Sequence, residues 1–473
     1  MDRSFLKALV TQWRTEPALF LYMLGSYIKM PVFQNLLFEK SCWELYNVSC
    51  LSLGARKDDD LCSNVTAYHK DEQVQSLANS LFFYSSLTLT IPSIPSSLML
   101  GSLVDKSRIR LSILIPLIAL VISSFVYIGL SIWEHSSPYY LLISDFIFGI
   151  AGGYTSIIGV SAAYSVRGSM GNIRSARMAR LEAAIGLGGC IGSFLSGKIR
   201  AAFGYTVVFS IITVLQVFAI IYVLLFVKDE VYEEIPDSQP ESSFIRRSLI
   251  DPLFVLTRLR PLRIVLIACF CAFGLELFAF SGMSDIQFSF MRFQLAWDDV
   301  AYGQFTSLSS LFGTLGVIFL YPFLRLLISD VFLGSIGLVL KMTFLLVLSF
   351  STSSLLMNIL SILFIGSRFV STAFRTQIAN LVEEDEQGQM SSLVSILEGV
   401  AGILATAVLN NLFPLTLSIW AGICPLSIVG LLGIALIILI ISSFRLSSYR
   451  REEEGMRDET QSTTTTMDAV DYQ

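Results

Sequence analysis

Charge is what this sequence has least of. Of 473 residues only 15% are Asp, Glu, Lys or Arg, while 54% are hydrophobic. An ordinary soluble domain is about 25% charged, so this chain lacks the polar surface to stand in water at its size. The shortage excludes a disordered chain, a nucleic-acid binder and an ordinary cytosolic enzyme. The formal net charge is −5, from 32 basic and 37 acidic residues, too slight to point to a partner. Histidine is nearly missing as well. The two present, His69 and His135, fall in polar connections, and no His-containing catalytic set, metal-ligand cluster or nucleotide loop appears. No metal, no cofactor and no enzymatic activity are expected. The first 16 residues hold Lys7, Arg14 and Glu16 around a weak apolar run, without the small-residue cleavage site of a removed signal.

Long apolar runs are what the chain has in abundance. A helix crosses a bilayer with roughly 20 apolar residues. Runs of that kind fall at 17–38, 74–102, 111–133, 139–166, 178–198, 205–227, 263–290, 300–328, 330–350, 354–381, 390–412 and 418–443. Lipid leaves no backbone group unpaired, and these runs are too long for barrel strands. The pattern predicts an all-α polytopic membrane protein of twelve helices.

Basic residues set the expected orientation. Lys106, Arg108 and Arg110 follow span two, and Arg167, Arg174, Arg177 and Arg180 follow span four. Arg246, Arg247, Arg258, Arg260 and Arg263 follow span six, and Arg445, Arg450, Arg451 and Arg457 lie in the tail. All fall on one side, expected to be cytosolic together with both termini; Lys198 and Arg200 are a minor exception. The loop 39–73 falls on the opposite face. It carries two glycosylation sequons, at Asn47 and Asn64, and three of the seven cysteines, Cys42, Cys50 and Cys62. One disulfide among these three is expected, with one cysteine left over; the spacing does not say which two pair. Cys190, Cys269, Cys271 and Cys424 lie within spans, where small apolar packing is the expected role.

A polar stretch, 228–262, divides the chain into two six-span halves. The loop after span two reads Gly101-Ser102-Leu103-Val104-Asp105-Lys106-Ser107-Arg108-Ile109-Arg110. It resembles the signature that the major facilitator superfamily carries in that loop, with Arg108 in the usual glycine position and Ile109 in that of the first arginine. The resemblance implies two six-helix bundles joined by a cytosolic linker. It also implies a latch between them built from Gly101, Asp105, Lys106 and Arg110; the competing reading is a turn whose basic residues only fix topology.

Other strings narrow the likeness. Span five opens Arg177-Met178-Ala179-Arg180-Leu181-Glu182-Ala183-Ala184-Ile185-Gly186, and Glu386-Gln387-Gly388, Asn410-Asn411-Leu412-Phe413-Pro414, Trp297-Asp298 and Glu16-Pro17 follow the same likeness. These resemble the proton-coupled folate transporter family of solute carriers, over nearly the whole chain. The resemblance implies secondary-active, proton-coupled movement of small organic anions, folate- or pterin-like or related conjugates, by alternating access. It implies substrate binding at Arg375, a guanidinium able to grip a carboxylate with two parallel bonds. It also implies proton coupling at Glu182 and Asp285. Arg368 lies seven residues before Arg375, on nearly the same helix face, and Lys29 precedes Pro31 in span one; both are candidate anion ligands. Glu276 is a further coupling candidate, but nine residues from Asp285 it points to the opposite side of a regular helix. Asp145, Lys341 and Glu398 complete the charges inside spans, which are costly in lipid and usually face the bundle interior. For all of these, structural ion pairing is the competing role. Where the family has a histidine in span seven this chain aligns Phe280, and where it has an acid in span four, Gly153, so coupling is expected to run through carboxylates alone.

The expected division is a cytosolic N-terminus 1–16, a first bundle 17–227, the linker 228–262, a second bundle 263–443 and a disordered cytosolic tail 444–473. The chain is expected to act as a monomer in the plasma membrane or the lysosomal or endosomal membrane, with the proton gradient as its driving force and the bilayer, protons and an organic anion as its partners. The alternative function is a membrane receptor or scaffold on a transporter fold that moves nothing.

Overall fold

The computed structural model describes residues 15–53, 62, 68–105, 108–133, 136–166, 171–227, 256, 258, 262–382 and 387–470. Among these residues every regular element is a helix, as lipid demands of a chain that must pair its backbone groups within each segment. The first half holds α1 (Glu16–Leu53), α2 (Glu72–Asp105), α3 (Ile109–Ile132) and α4, which is broken into Leu141–Ile150 and Gly153–Val166. The run Gly171–Phe226 is two helices, α5 and α6, joined at Gly204, whose φ of 78° and ψ of 177° are not helical. The second half holds α7 (Arg263–Leu295) and α8 (Asp299–Leu315, continuing through a π turn, Gly316–Leu320, to Tyr321–Arg325). Then come α9 (Asp330–Phe350), α10 (Ser354–Leu360, a 3₁₀ stretch Ser361–Gly366, then Phe369–Ala379), α11 (Gln387–Leu417) and α12 (Ile423–Val470).

Local chemistry sets the ends. Asp298 accepts from the Ala301 N–H at 2.9 Å and caps α8, while Ser329 and Ser353 cap α9 and α10 in the same way, each satisfying an N–H that a helix start leaves unpaired. Span four, expected as one helix, breaks where Gly152 and Gly153 adopt φ of 98° and 60°, a region open mainly to glycine. Two further expectations need correction. The first helix runs on to Leu53, so much of the segment read as loop 39–73 is helical. The last helix runs on to Val470, so the tail read as disordered is helical over its described part.

Each half packs as a bundle: α1 and α3 lie against the α5–α6 pair and α2 against α4, while α7 lies against α11 and α12 and α9 against α10 and α12. The halves meet along α5 and α8, and along α2 and α11. Small residues allow the first contact. A Cβ on Gly197 would stand 2.5 Å from the Val300 Cα, and one on Gly303 2.5 Å from the Ser193 carbonyl oxygen. Ser307 donates to the Cys190 carbonyl at 2.8 Å in the same seam. Gly188 and Gly192, on another face of α5, meet Met23, Leu24 and Tyr27 of α1 instead. Backbones approach this closely only where side chains are small.

The largest apolar core belongs to the second half but takes in Phe38, Cys42, Cys62, Tyr68 and Val74 from the first. The segment between α1 and α2 is therefore seated on α7 rather than standing free. Cys42 and Cys62 form the disulfide, with Cα atoms 5.8 Å apart; the Cys50 side chain lies outside the described residues. Cys269 and Cys424 are buried and Cys190 half-buried, as small apolar packing asks, but Cys271 is exposed, on the surface the bundle turns to its surroundings.

Candidate functional site

A cavity of about 310 Å³ lies between the halves, walled by both. From the first half come Lys29 and Phe33 on α1, Phe82, Ser85 and Thr90 on α2, and Asp145 and Tyr154 on α4; from the second come Phe280, Ser281, Ser284 and Asp285 on α7 and Glu398, Gly402, Ile403 and Thr406 on α11. Its wall combines aromatic rings with hydroxyls and four charged groups, the make-up of a site for an amphipathic ligand.

Lys29 and Asp145 form the first-half charge cluster. Lys29 Nζ stands 3.7 Å from Asp145 Oδ1 and 4.3 Å above the Tyr127 ring. Asp145 also accepts from Tyr127 at 2.7 Å and from Ser85 at 2.5 Å. Across the cavity, Asp285 accepts from Thr406 Oγ1 at 2.5 Å and has no cationic partner among the described residues. Glu398 accepts from Arg375 at 3.2 Å, both side chains about half exposed, and the Arg375 guanidinium lies 5.7 Å from the Phe273 ring centre.

The remaining expected residues are dispersed. Glu276 is buried against Lys341, 2.5 Å away, and lies off the cavity, in surroundings different from those of Asp285. Arg368 stands where the 3₁₀ stretch passes into the second part of α10, its carbonyl accepting from Ser371 and Thr372, and is not in the cavity wall. Arg110 on α3 donates to the Leu224 carbonyl on α6, a contact within one bundle. The side chains of Glu182, Asp105 and Asn47, the surroundings of Gly101, and all of Lys106 and Asn64 lie outside the described residues.

Sequence reasoning missed a second set of polar ties, at the end of the molecule that bears the segment between α1 and α2. Arg292 of α7 is wholly buried. It donates to Asn35 Oδ1 of α1 at 2.5 Å and to the Tyr68 hydroxyl, with the Phe38 ring 4.9 Å from its guanidinium. Asn35 in turn donates to Tyr205 of α6 at 2.6 Å. Burial pushes the Tyr68 hydroxyl above its ordinary pKa, keeping it a neutral partner. Beside it, Arg200 of the first half grips Asp299 of the second with two nitrogens, Nε at 2.8 Å, and reaches Asp298 at 3.8 Å. These groups hold the two halves together at the first-loop end. Arg292 escaped notice because span seven was read as ending at 290, which made it a loop residue. Arg200 had a signal, as the exception to the charge bias.

The sequence model of the family described as Major Facilitator Superfamily matches residues 17–406. The proton-coupled folate transporter of Bos taurus is 26% identical over 438 residues, 90% of each chain. A lysosomal proton-coupled steroid conjugate and bile acid symporter of Gallus gallus is 24% identical over 417 residues, 86% of this chain and 89% of its own. Among solved structures the human organic anion transporter MFSD10 superposes with a TM-score of 0.62 at 16% identity, over 90% of this chain and 97% of that one, a likeness of fold.

Proposed function

The chain belongs to the Major Facilitator Superfamily, and from that premise we propose that it carries a small organic anion together with protons through the cavity between its halves, by alternating access. The observation that carries this reading is a single cavity to which both halves bring charge: Lys29 and Asp145 from one, Asp285 and Glu398 from the other. A site built across the interface is taken apart and rebuilt when the halves rock, which exposes it to each side in turn.

The chemistry of the wall narrows the cargo. Phe33, Phe82 and Phe280 suit a flat or apolar body, and the buried ammonium of Lys29 suits a carboxylate or sulfate on it. That profile fits a folate- or pterin-like compound or an anionic conjugate, in keeping with what the two relatives above are named for. Arg375 serves the anion only when Glu398 lets it go, since the two now satisfy each other. Asp285, held by a hydroxyl rather than a cation, is placed to load and release a proton from the cavity. The Arg200–Asp299 and Arg292 ties close the first-loop end and must part for the other half of the cycle. A receptor that moved nothing would not need charged groups from both halves in one cavity.

Flux into proteoliposomes under an imposed pH gradient tests the reading, with labelled folates, pterins and steroid or bile-acid conjugates as cargo. Arg375, which touches the cavity only through Glu398, is tested by Arg375→Ala, expected to abolish gradient-driven uptake while leaving surface expression intact; unchanged uptake would refute the role given to Arg375. The orientation, with the segment 39–73 outside or in a lumen, is tested by Asn47→Gln and Asn64→Gln, which should each shift the mobility of a glycosylated product.

A further inference from the structure

We propose that Lys29 and Asp145 act as a proton–anion exchange pair: a proton taken up by Asp145 frees the Lys29 ammonium to hold a carboxylate, and the two are released together. The inference rests on the transport reading above and adds to it a proton site and the anion's anchor.

The pair differs from Lys341–Glu276, another buried ion pair among the described residues. Lys341 and Glu276 are 2.5 Å apart and away from the cavity, a closed contact with nothing left to offer. Lys29 and Asp145 both line the cavity although they are only 5% and 3% exposed. Their separation, 3.7 Å, exceeds that of a charge-assisted hydrogen bond, roughly 2.7–2.9 Å. Asp145 is not held in place by Lys29. It is held by Tyr127 and Ser85, at 2.7 and 2.5 Å. A hydroxyl can accept as well as donate. A protonated Asp145 can therefore turn one of these bonds round and stay where it is. The proton is absorbed without rearranging the wall.

Charge bookkeeping then links proton to cargo. With Asp145 ionised the pair is neutral, and a carboxylate entering beside it would be a buried charge without compensation. With Asp145 neutral, Lys29 carries one unpaired positive charge and three donors. One carboxylate satisfies it. The other groups near the pair do not compete for this role. Tyr154, on α4, and the Phe33 ring, 5.4 Å from Lys29 Nζ on its own helix, bring no charge. On the far wall Asp285 can take a proton too, but it is bonded to the Thr406 hydroxyl and has no cationic partner among the described residues to set free, while Glu398 is engaged by Arg375. Proton and anion thus bind in favour of each other, each making the site ready for its partner, as linkage requires.

The test uses the full chain in proteoliposomes, with labelled folic acid and labelled glycocholate as probes, each a carboxylate. Asp145→Asn imitates the protonated state. It is expected to keep exchange of the probe across the membrane and to lose accumulation driven by a pH gradient. Because the change frees a buried ammonium and folding could suffer, the double variant Lys29→Gln/Asp145→Asn, which removes both charges, is measured beside it; it is expected to fold and to lose probe binding at every pH. A readout independent of cargo comes from pH-difference infrared spectra of the reconstituted protein, in which the wild type should show a carboxylic-acid band that Asp145→Asn loses. Gradient-driven accumulation in Asp145→Asn equal to wild type would overturn the exchange pair and leave the transport reading standing. If the wild type moved neither probe, the transport reading would fail for these anions, and an infrared band unchanged in Asp145→Asn would overturn the proton site on its own.

Discussion

Arg292 offers the sharpest test of how the two halves are held together. It reaches from α7 to Asn35 of α1 and to Tyr68 of the following segment, and it is wholly buried. A hydrogen bond from a charged donor contributes about 1.5–3 kcal/mol, and a desolvated guanidinium against aromatic rings about 2 kcal/mol. Rehydration of the guanidinium when the halves part returns much of this. A net bias of about 3 kcal/mol towards the closed first-loop end is left, a factor of about 100 in the closed-to-open ratio. Arg292→Ala should shift the ratio by about that factor, and Tyr68→Phe, which removes one bond and little volume, by about tenfold. The assay is chemical labelling from the first-loop side of a cysteine at Ser281, a cavity position, in a chain whose Cys50, Cys190, Cys269, Cys271 and Cys424 are serine. Arg292→Ala should be labelled much faster than its parent, and Tyr68→Phe at an intermediate rate. Labelling of Arg292→Ala no faster than the parent would refute the reasoning, because it would mean that the buried guanidinium does not hold the halves closed.

Three other outcomes follow from the same contacts. Gly303→Ala puts a methyl 2.5 Å from the Ser193 carbonyl oxygen and 2.8 Å from Ser196 Oγ; it should pry α8 from α5 and speed labelling of the Ser281 cysteine, and unchanged labelling would show that the seam has room to spare. Lys341→Met leaves Glu276 buried without its cation and should lower stability by about 3–5 kcal/mol, whereas Lys341→Met with Glu276→Gln should recover most of the loss; thermal unfolding in detergent separates the two results, and equal melting of single and double variants would count against the pairing. Opening the Cys42–Cys62 disulfide, which joins residues 20 apart, should cost about 3 kcal/mol on the chain-entropy scale, read as a lower melting temperature of Cys42→Ser in the absence of reductant.

How much of this was legible in the sequence depends on the range of the interaction that decides it. The division of the chain into apolar runs was plain, and with it the helices, because each run must satisfy its backbone groups internally whatever its neighbours do. The nine-residue spacing of Glu276 and Asp285 set them on opposite sides of one helix, and they do stand in different surroundings, one against Lys341 and the other at the cavity. Which group would meet which could not be read. Arg375 was marked as a ligand on resemblance, and nothing in span ten announced that Glu398 of span eleven would satisfy it. Gly188 and Gly192 stand four apart in span five, a spacing that suits close helix packing. That Gly197 serves the other half of the molecule while Gly188 and Gly192 serve α1 follows from the direction of each face, and periodicity alone does not say what stands opposite.

The sequence by itself determined the solvent this chain lives in and the kind of element it builds there, since both are properties of local runs weighed against lipid. The tertiary structure alone decided where its few charges would be spent. Arg292 meets Asn35 across 257 positions and Lys341 meets Glu276 across 65. A buried charge is tolerated only beside a partner, and the chain brings such partners together by packing its helices, through contacts that no stretch of sequence contains.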